Sequence, residues 1–126
     1  MLRALEDDPR ATCVACCTGQ HQELLEPILS LFRIEPHYDL RVMSVDQQLS
    51  GLTSLLLTQL EKVMAAERPD RVLVQGDTTT AMVAAMAAAY QKIPVAHIEA
   101  GVRSHNSLDP FPEEMNRKLI DVMSDL

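Results

Sequence analysis

The chain has 126 residues, 47% of them hydrophobic, with a formal net charge of −7 and a pI near 4.9. That length suffices for one domain with a core, and the acidic balance excludes a broad basic face of the kind that grips a nucleic-acid backbone. No apolar run approaches the ~20 residues that span a bilayer, and the acidic opening Glu6-Asp7-Asp8 does not suit a secretory signal. A cytoplasmic chain is expected, with neither a membrane nor a nucleic acid as partner.

Leu2 to Asp8 reads as the last turns of a helix, ended before Pro9 because the residue preceding a proline avoids helical dihedrals. Ala11 to Thr18 follows as a buried strand, ending at the loop Gly19-Gln20-His21. The three cysteines, Cys13, Cys16 and Cys17, crowd that strand, where positions three apart point to opposite faces. They read as buried structural residues. Gln22 to Phe32 has Leu24, Leu25, Ile28, Leu29 and Phe32 at helical spacing, with Pro27 as an interruption.

Arg33 to Val45 is mixed and suggests one short extended piece. From Ser50 to Glu67, Leu52, Leu55, Leu56, Leu60, Val63 and Met64 form one apolar stripe, with Ser50 as the expected start cap. Val72 to Val74 is a short strand that turns at Gly76-Asp77-Thr78-Thr79-Thr80 into an alanine-rich helix over Ala81 to Tyr90. Pro94 launches a second strand, Val95 to Ile98, ending on Glu99-Ala100-Gly101. Val102 to Pro112 is a long loop, and Glu113 and Glu114 open a last helix with Met115, Leu119, Ile120, Val122 and Met123 on its apolar face. This alternation predicts a doubly wound parallel α/β sheet.

In open parallel sheets ligands gather beyond the carboxyl ends of the strands, and both Asp77 and Glu99 fall there. Asp77 either acts on a substrate proton beside the free amides of the helix start, or merely caps that helix. His97 and Glu99 alternate onto one strand face beside Arg103. They either belong to a site, or Glu99 pairs with Arg103 while His97 is hydrogen-bonded in the core. Glu113 and Glu114 either complement a helix dipole, or one of them joins the other two acids, where crowding of three carboxylates raises some of their pKa values. His21, His37, His97 and His105 lack metal-ligand spacing, so no metal site is expected.

QGDTTT (Gln75 to Thr80), PVAHIEAGVRS (Pro94 to Ser104) and PFPEEMNRK (Pro110 to Lys118), in this order and spacing, strongly resemble the bacterial non-hydrolysing UDP-N-acetylglucosamine 2-epimerases. TGQHQELLEPIL (Thr18 to Leu29) and YDLRVM (Tyr38 to Met43) look like the same family, so the likeness covers essentially the whole chain. The resemblance implies a glycosyltransferase-B (GT-B) type enzyme of two Rossmann-like halves with the active site between them. Residues 1–126 would be part of the N-terminal half, without its first strand and without the second domain, and the isolated chain would lack turnover.

The implied reaction interconverts UDP-N-acetylglucosamine and UDP-N-acetylmannosamine by removal of the carbon-2 proton, expulsion of UDP, and re-addition from a bound 2-acetamidoglucal, without a cofactor. The implied catalytic acids are Asp77, Glu99 and Glu113, with His97, Arg103 and Thr78 supporting the substrate. Gln20, His21 and Gln47 lie in stretches resembling an activator site, and the full-length enzyme would be a homodimer. The rivals are the hydrolysing branch of the family and a non-catalytic nucleotide-sugar-binding relic.

Overall fold

The computed structural model describes residues 1–19 and 22–126, in two compact units, Met1–Met43 and Ser44–Leu126. In the first, the short helix α1 (Leu2–Glu6) precedes strand β1 (Cys16–Cys17), helix α2 (Gln22–Phe32) and strand β2 (Tyr38–Asp39). The two strands are parallel, with Cys16 opposite Tyr38 and Cys17 opposite Asp39. Flanking bonds extend the pairing: Tyr38 N–H donates to the Ala15 carbonyl, Leu40 N–H to Cys17 and Val42 N–H to Thr18.

The expected strand over Ala11–Thr18 is thus regular only at Cys16–Cys17, with the bonds to Ala15 and Thr18 prolonging the pairing by a residue on either side. The cysteines are half-buried free thiols. Burial, then the neighbouring Cys17 and Asp39, push the Cys16 thiol up to about 11, so it carries no thiolate at neutral pH. Gly19 has φ +79°, and a Cβ there would stand 3.1 Å from the Arg41 Cα. Only glycine fits that approach.

Helix α2 contains Pro27 without ending there, and closes at Arg33, whose φ is +51°. The Arg3 guanidinium donates to the Arg33 carbonyl at 2.6 Å and to the Phe32 carbonyl, filling acceptors that a helix end leaves open. Of the expected apolar stripe only Leu25 and Leu29 are half-buried, lining a small cleft with Cys17 and Pro36; Leu24, Ile28 and Phe32 are exposed.

The second unit runs α3 (Leu49–Glu67), β3 (Val72–Gln75), α4 (Thr79–Tyr90), β4 (Val95–Ile98) and α5 (Glu113–Met123). Helix α3 buries Leu52, Leu56, Leu60 and Met64, one residue per turn, each worth about 1.5–3 kcal/mol of burial. Ser50 is not its cap: Gln48 holds that position without a side-chain bond, and Ser50 lies in the first turn. Helix α4 is buried on several sides, packing on α3, α5 and β3. That explains its alanines, since larger side chains would hold these elements apart.

Strands β3 and β4 are parallel with Val72 opposite Val95 and Gln75 opposite Ile98, and α4 is the crossover between them. The last residues run along the outer side of β4, where Asp125 N–H donates to the Val95 carbonyl and His97 N–H to Leu126. Helix α5 differs most from its expected packing. Met115, Leu119 and Val122 are 36%, 41% and 85% exposed, while Glu114, Asn116, Arg117 and Ile120 are buried. Its polar side faces the strand rim. No helix among the described residues is long and apolar enough to cross a membrane.

Candidate active site

The site grows from the carboxyl ends of β3 and β4, adjacent parallel strands that release Asp77 and Glu99 at the same rim. After β3, Gly76 takes φ +70° and turns the chain into α4. Thr78 caps that helix, its hydroxyl oxygen accepting from Ala81 N–H at 3.1 Å. The cap that sequence reasoning offered to Asp77 therefore belongs to Thr78, and the Asp77 carboxylate is left for other work. Glu99 follows β4 with φ +64°, a left-handed conformation that costs a residue with a Cβ about 1–2 kcal/mol. Such conformations cluster at functional sites.

That turn also breaks the alternation expected of His97 and Glu99. The Glu99 carboxylate is exposed and accepts from Gln75 Nε2 at 3.3 Å. The His97 ring is 2% exposed and points the other way, one nitrogen 2.7 Å from the Gly76 carbonyl oxygen and the other 2.8 Å from Asp121.

Helix α5 joins these pieces. Arg117, its side chain 4% exposed, donates from Nη2 to the Asp77 carboxylate and from Nη1 to the Glu99 carbonyl, so one guanidinium spans both strand ends. Asn116 Nδ2 donates to the Asp77 carbonyl at 2.9 Å. Glu113 lies four residues before Arg117, on the same side of the helix. It is half-buried, and its carboxylate has no hydrogen bond or ion pair among the described residues. A carboxylate on that face with no protein partner is available to a ligand.

Its neighbour Glu114 is the opposite case. Buried and saturated, it accepts from Ser104 N–H at 3.0 Å and from Arg103 at 3.2 Å, with Lys118 at 3.5 Å. The Ser104 amide, then Arg103 and Lys118, outweigh burial and hold its pKa at about 2. Arg103 also donates to Asp121 at 2.7 Å. Of the two alternatives for this strand end, the Glu99–Arg103 ion pair is not found among the described residues, since Arg103 pairs with Glu114 and Asp121 and Glu99 accepts from Gln75.

A scan against family models matches residues 3–126 to the model described as UDP-N-acetylglucosamine 2-epimerase. The chain belongs to the UDP-N-acetylglucosamine 2-epimerase family. It is 50% identical over 113 residues to a curated UDP-N-acetylglucosamine 2-epimerase of Neisseria meningitidis, a match covering 90% of this chain and 30% of the relative. A crystal structure of UDP-GlcNAc 2-epimerase from Neisseria meningitidis bound to UDP-GlcNAc is similar with a TM-score of 0.92 and 47% identity, over 97% of this chain and 33% of that one. The S. aureus MnaA–UDP co-structure is similar with a TM-score of 0.94 and 47% identity, over 98% and 32%.

The 2-epimerase fold class follows: α/β with parallel strands, a Rossmann-like N-terminal half of the GT-B type. The chain spans about a third of the length of the curated relatives it matches.

Within this 2-epimerase chain, Asp77, Thr78, His97, Glu99, Arg103 and Glu113 all lie in the second unit, at or behind the β3–β4 rim and the start of α5. Gln47, whose side chain accepts from Ser44 N–H at 3.3 Å, precedes α3. Gln20 and His21 fall outside the described residues. Sequence reasoning missed Arg117, Asn116 and Asp121 as residues of the rim. Their signal is the polar spacing Glu113, Asn116, Arg117 along one side of a helix whose hydropathy points to the opposite, apolar side as the buried one. Among the described residues no group of three His, Cys, Asp or Glu is placed to hold a metal ion.

Proposed function

We propose that the protein acts as a non-hydrolysing UDP-N-acetylglucosamine 2-epimerase, with this chain supplying the carboxylates that work at carbon 2. The observation that carries this reading is the Arg117 bridge, which ties the Asp77 carboxylate to the end of β4 and leaves Glu99 and Glu113 without strong cationic partners. In the forward direction a carboxylate takes the carbon-2 proton. The C–H electron pair forms the C1–C2 double bond of 2-acetamidoglucal, and the C1–O bond breaks toward UDP. Delivery of a proton to the opposite face of carbon 2 and return of UDP to carbon 1 give UDP-N-acetylmannosamine.

Asp77, Glu99 and Glu113 share the acid and base roles, since general acid–base transfer needs a group within hydrogen-bond reach of the moving proton. Thr78 and Arg103 hold the surrounding turn and loop. The rest of the protein, corresponding to the two thirds of a relative's length not matched here, grips the departing diphosphate and closes the cleft. The working enzyme is a cytoplasmic homodimer, and Gln20, His21 and Gln47 contribute to an activator site.

The test is solvent deuterium incorporation at carbon 2 of UDP-N-acetylglucosamine, followed by proton NMR in heavy water, on this chain alone and on the chain joined to the remaining length of a 2-epimerase. Exchange in the joined protein, lost in Asp77→Asn and Glu113→Gln, is expected. Failure of the joined protein to exchange would sink the catalytic reading.

A further inference from the structure

His97 sits behind the rim with an acceptor at each ring nitrogen: the Gly76 carbonyl oxygen at Nε2, 2.7 Å away, and Asp121 Oδ1 at Nδ1, 2.8 Å away. A neutral imidazole has one N–H, so it satisfies one acceptor and sets a lone pair against the other. A second proton resolves the conflict, placed on the ring or on Asp121. Asp121 Oδ2 also accepts from Arg103 Nη1 at 2.7 Å, and a guanidinium keeps its charge at all relevant pH. That contact favours the ionised carboxylate, and the proton stays on the ring.

The charged groups around the ring agree with this assignment. Among the described residues the charged group touching the ring is Asp121; of the others on the elements packed against β4, Arg103 pairs with Asp121 and Glu114, Arg117 with Asp77 and Asp125 with Arg71, while Glu99 accepts from Gln75. Arg103 is occupied by Glu114 and Asp121, and Arg117 by Asp77, so both nearby cations are already paired. Helix α4 carries no charged side chain.

We propose that Asp121 is a positioning residue: it holds His97 as an imidazolium whose Nε2–H fastens the Gly76 carbonyl and so fixes the turn that carries Asp77. This rests on the proposed function in one respect, that the placement of Asp77 governs proton transfer at carbon 2. Loss of the ring proton would turn the Nε2 lone pair onto the Gly76 oxygen, and the turn would have to move. A displacement of about 1 Å at a reacting group costs on the order of 10²-fold in rate.

The first measurement is two-bond ¹H–¹⁵N NMR of the histidine rings in the unsubstituted protein at neutral pH. The two acceptors at His97 predict a proton on each of its ring nitrogens, and Asp121→Asn, which takes away the ionised acceptor at Nδ1, is expected to leave one. A singly protonated His97 ring in the unsubstituted protein would overturn the proposal without reference to turnover.

The second is carbon-2 exchange in the protein joined to its remaining length. Asp121→Asn is expected to lower the exchange rate roughly tenfold to a hundredfold with little change in KM, with Asp121→Glu restoring part of the rate. An Asp121→Asn protein with an unchanged rate would also overturn the proposal. If His97 keeps its proton as expected but the unsubstituted protein shows no exchange, the epimerase reading fails and the assignment of Asp121 to the rate of that reaction fails with it.

Discussion

Arg117→Met removes the guanidinium that spans the two strand ends while keeping most of its aliphatic packing. Two charge-assisted hydrogen bonds disappear, one to the Asp77 carboxylate and one to the Glu99 carbonyl, each worth about 1.5–3 kcal/mol in a buried setting. Asp77 retains 29% of its side-chain exposure. Water therefore recovers part of that loss, and the total falls to about 2–4 kcal/mol. A small domain holds about 5–15 kcal/mol, so the unfolding midpoint should drop clearly.

The decisive form is a double-mutant cycle of Arg117→Met and Asp77→Asn. Urea unfolding is followed by the fluorescence of Tyr90 in a Tyr38→Phe background, which reads the second unit alone because the chain has two tyrosines and no tryptophan. A coupling of about 1–2 kcal/mol is expected for a direct buried contact. Strict additivity, within about 0.3–0.5 kcal/mol, would refute the claim that Arg117 holds Asp77.

Three further outcomes test the frame around the site. Glu114 has a folded pKa of about 2 against an ordinary 4.5, so its contribution is complete above pH 4.5 and is lost as the pH falls toward 2. An acid titration of the unfolding midpoint should be steeper over that window in the unsubstituted protein than in Glu114→Gln. Leu56→Ala, at a position with no exposure, should cost about 2–5 kcal/mol in denaturant unfolding. Gly19→Ala forces a Cβ to 3.1 Å from the Arg41 Cα at φ +79° and should destabilise the first unit by about 1–3 kcal/mol, read as faster amide exchange at Leu40 and Val42.

The parts of this architecture written in short-range chemistry were legible in the sequence. Val72–Gln75 and Val95–Ile98 are apolar runs bounded by turn residues, and the alanines between them admit little besides a buried helix. Motif order made the family legible too, together with the acids at the strand ends. What escaped was set by tertiary contact. The sheltered face of α5 could not be read from hydropathy, because Glu114 is buried by pairing with Arg103 and Ser104, and Asn116 and Arg117 by pairing with the strand ends at Asp77 and Glu99, rather than by being apolar. The left-handed turn at Glu99 has no local signature either, since glutamate is not a residue that favours it. The cap of α4 fell to Thr78 instead of Asp77 because Arg117, forty positions away, claims the aspartate.

That separation has a consequence for how the chain acquires its site. Closing a loop of this span costs about 3 kcal/mol in chain entropy beyond a constant, whereas β3, α4 and β4 gather through contacts nearer in sequence. During synthesis, which delivers the amino end first, both strand ends leave the ribosome well before Arg117 does. Asp77 and Glu99 then occupy neighbouring strand tips with no cation between them, and only the docking of α5 fixes their placement. The placement of the two rim carboxylates is thus the last to be set, and a slow-docking variant of α5 would delay acquisition of the rim while leaving the strand pair intact.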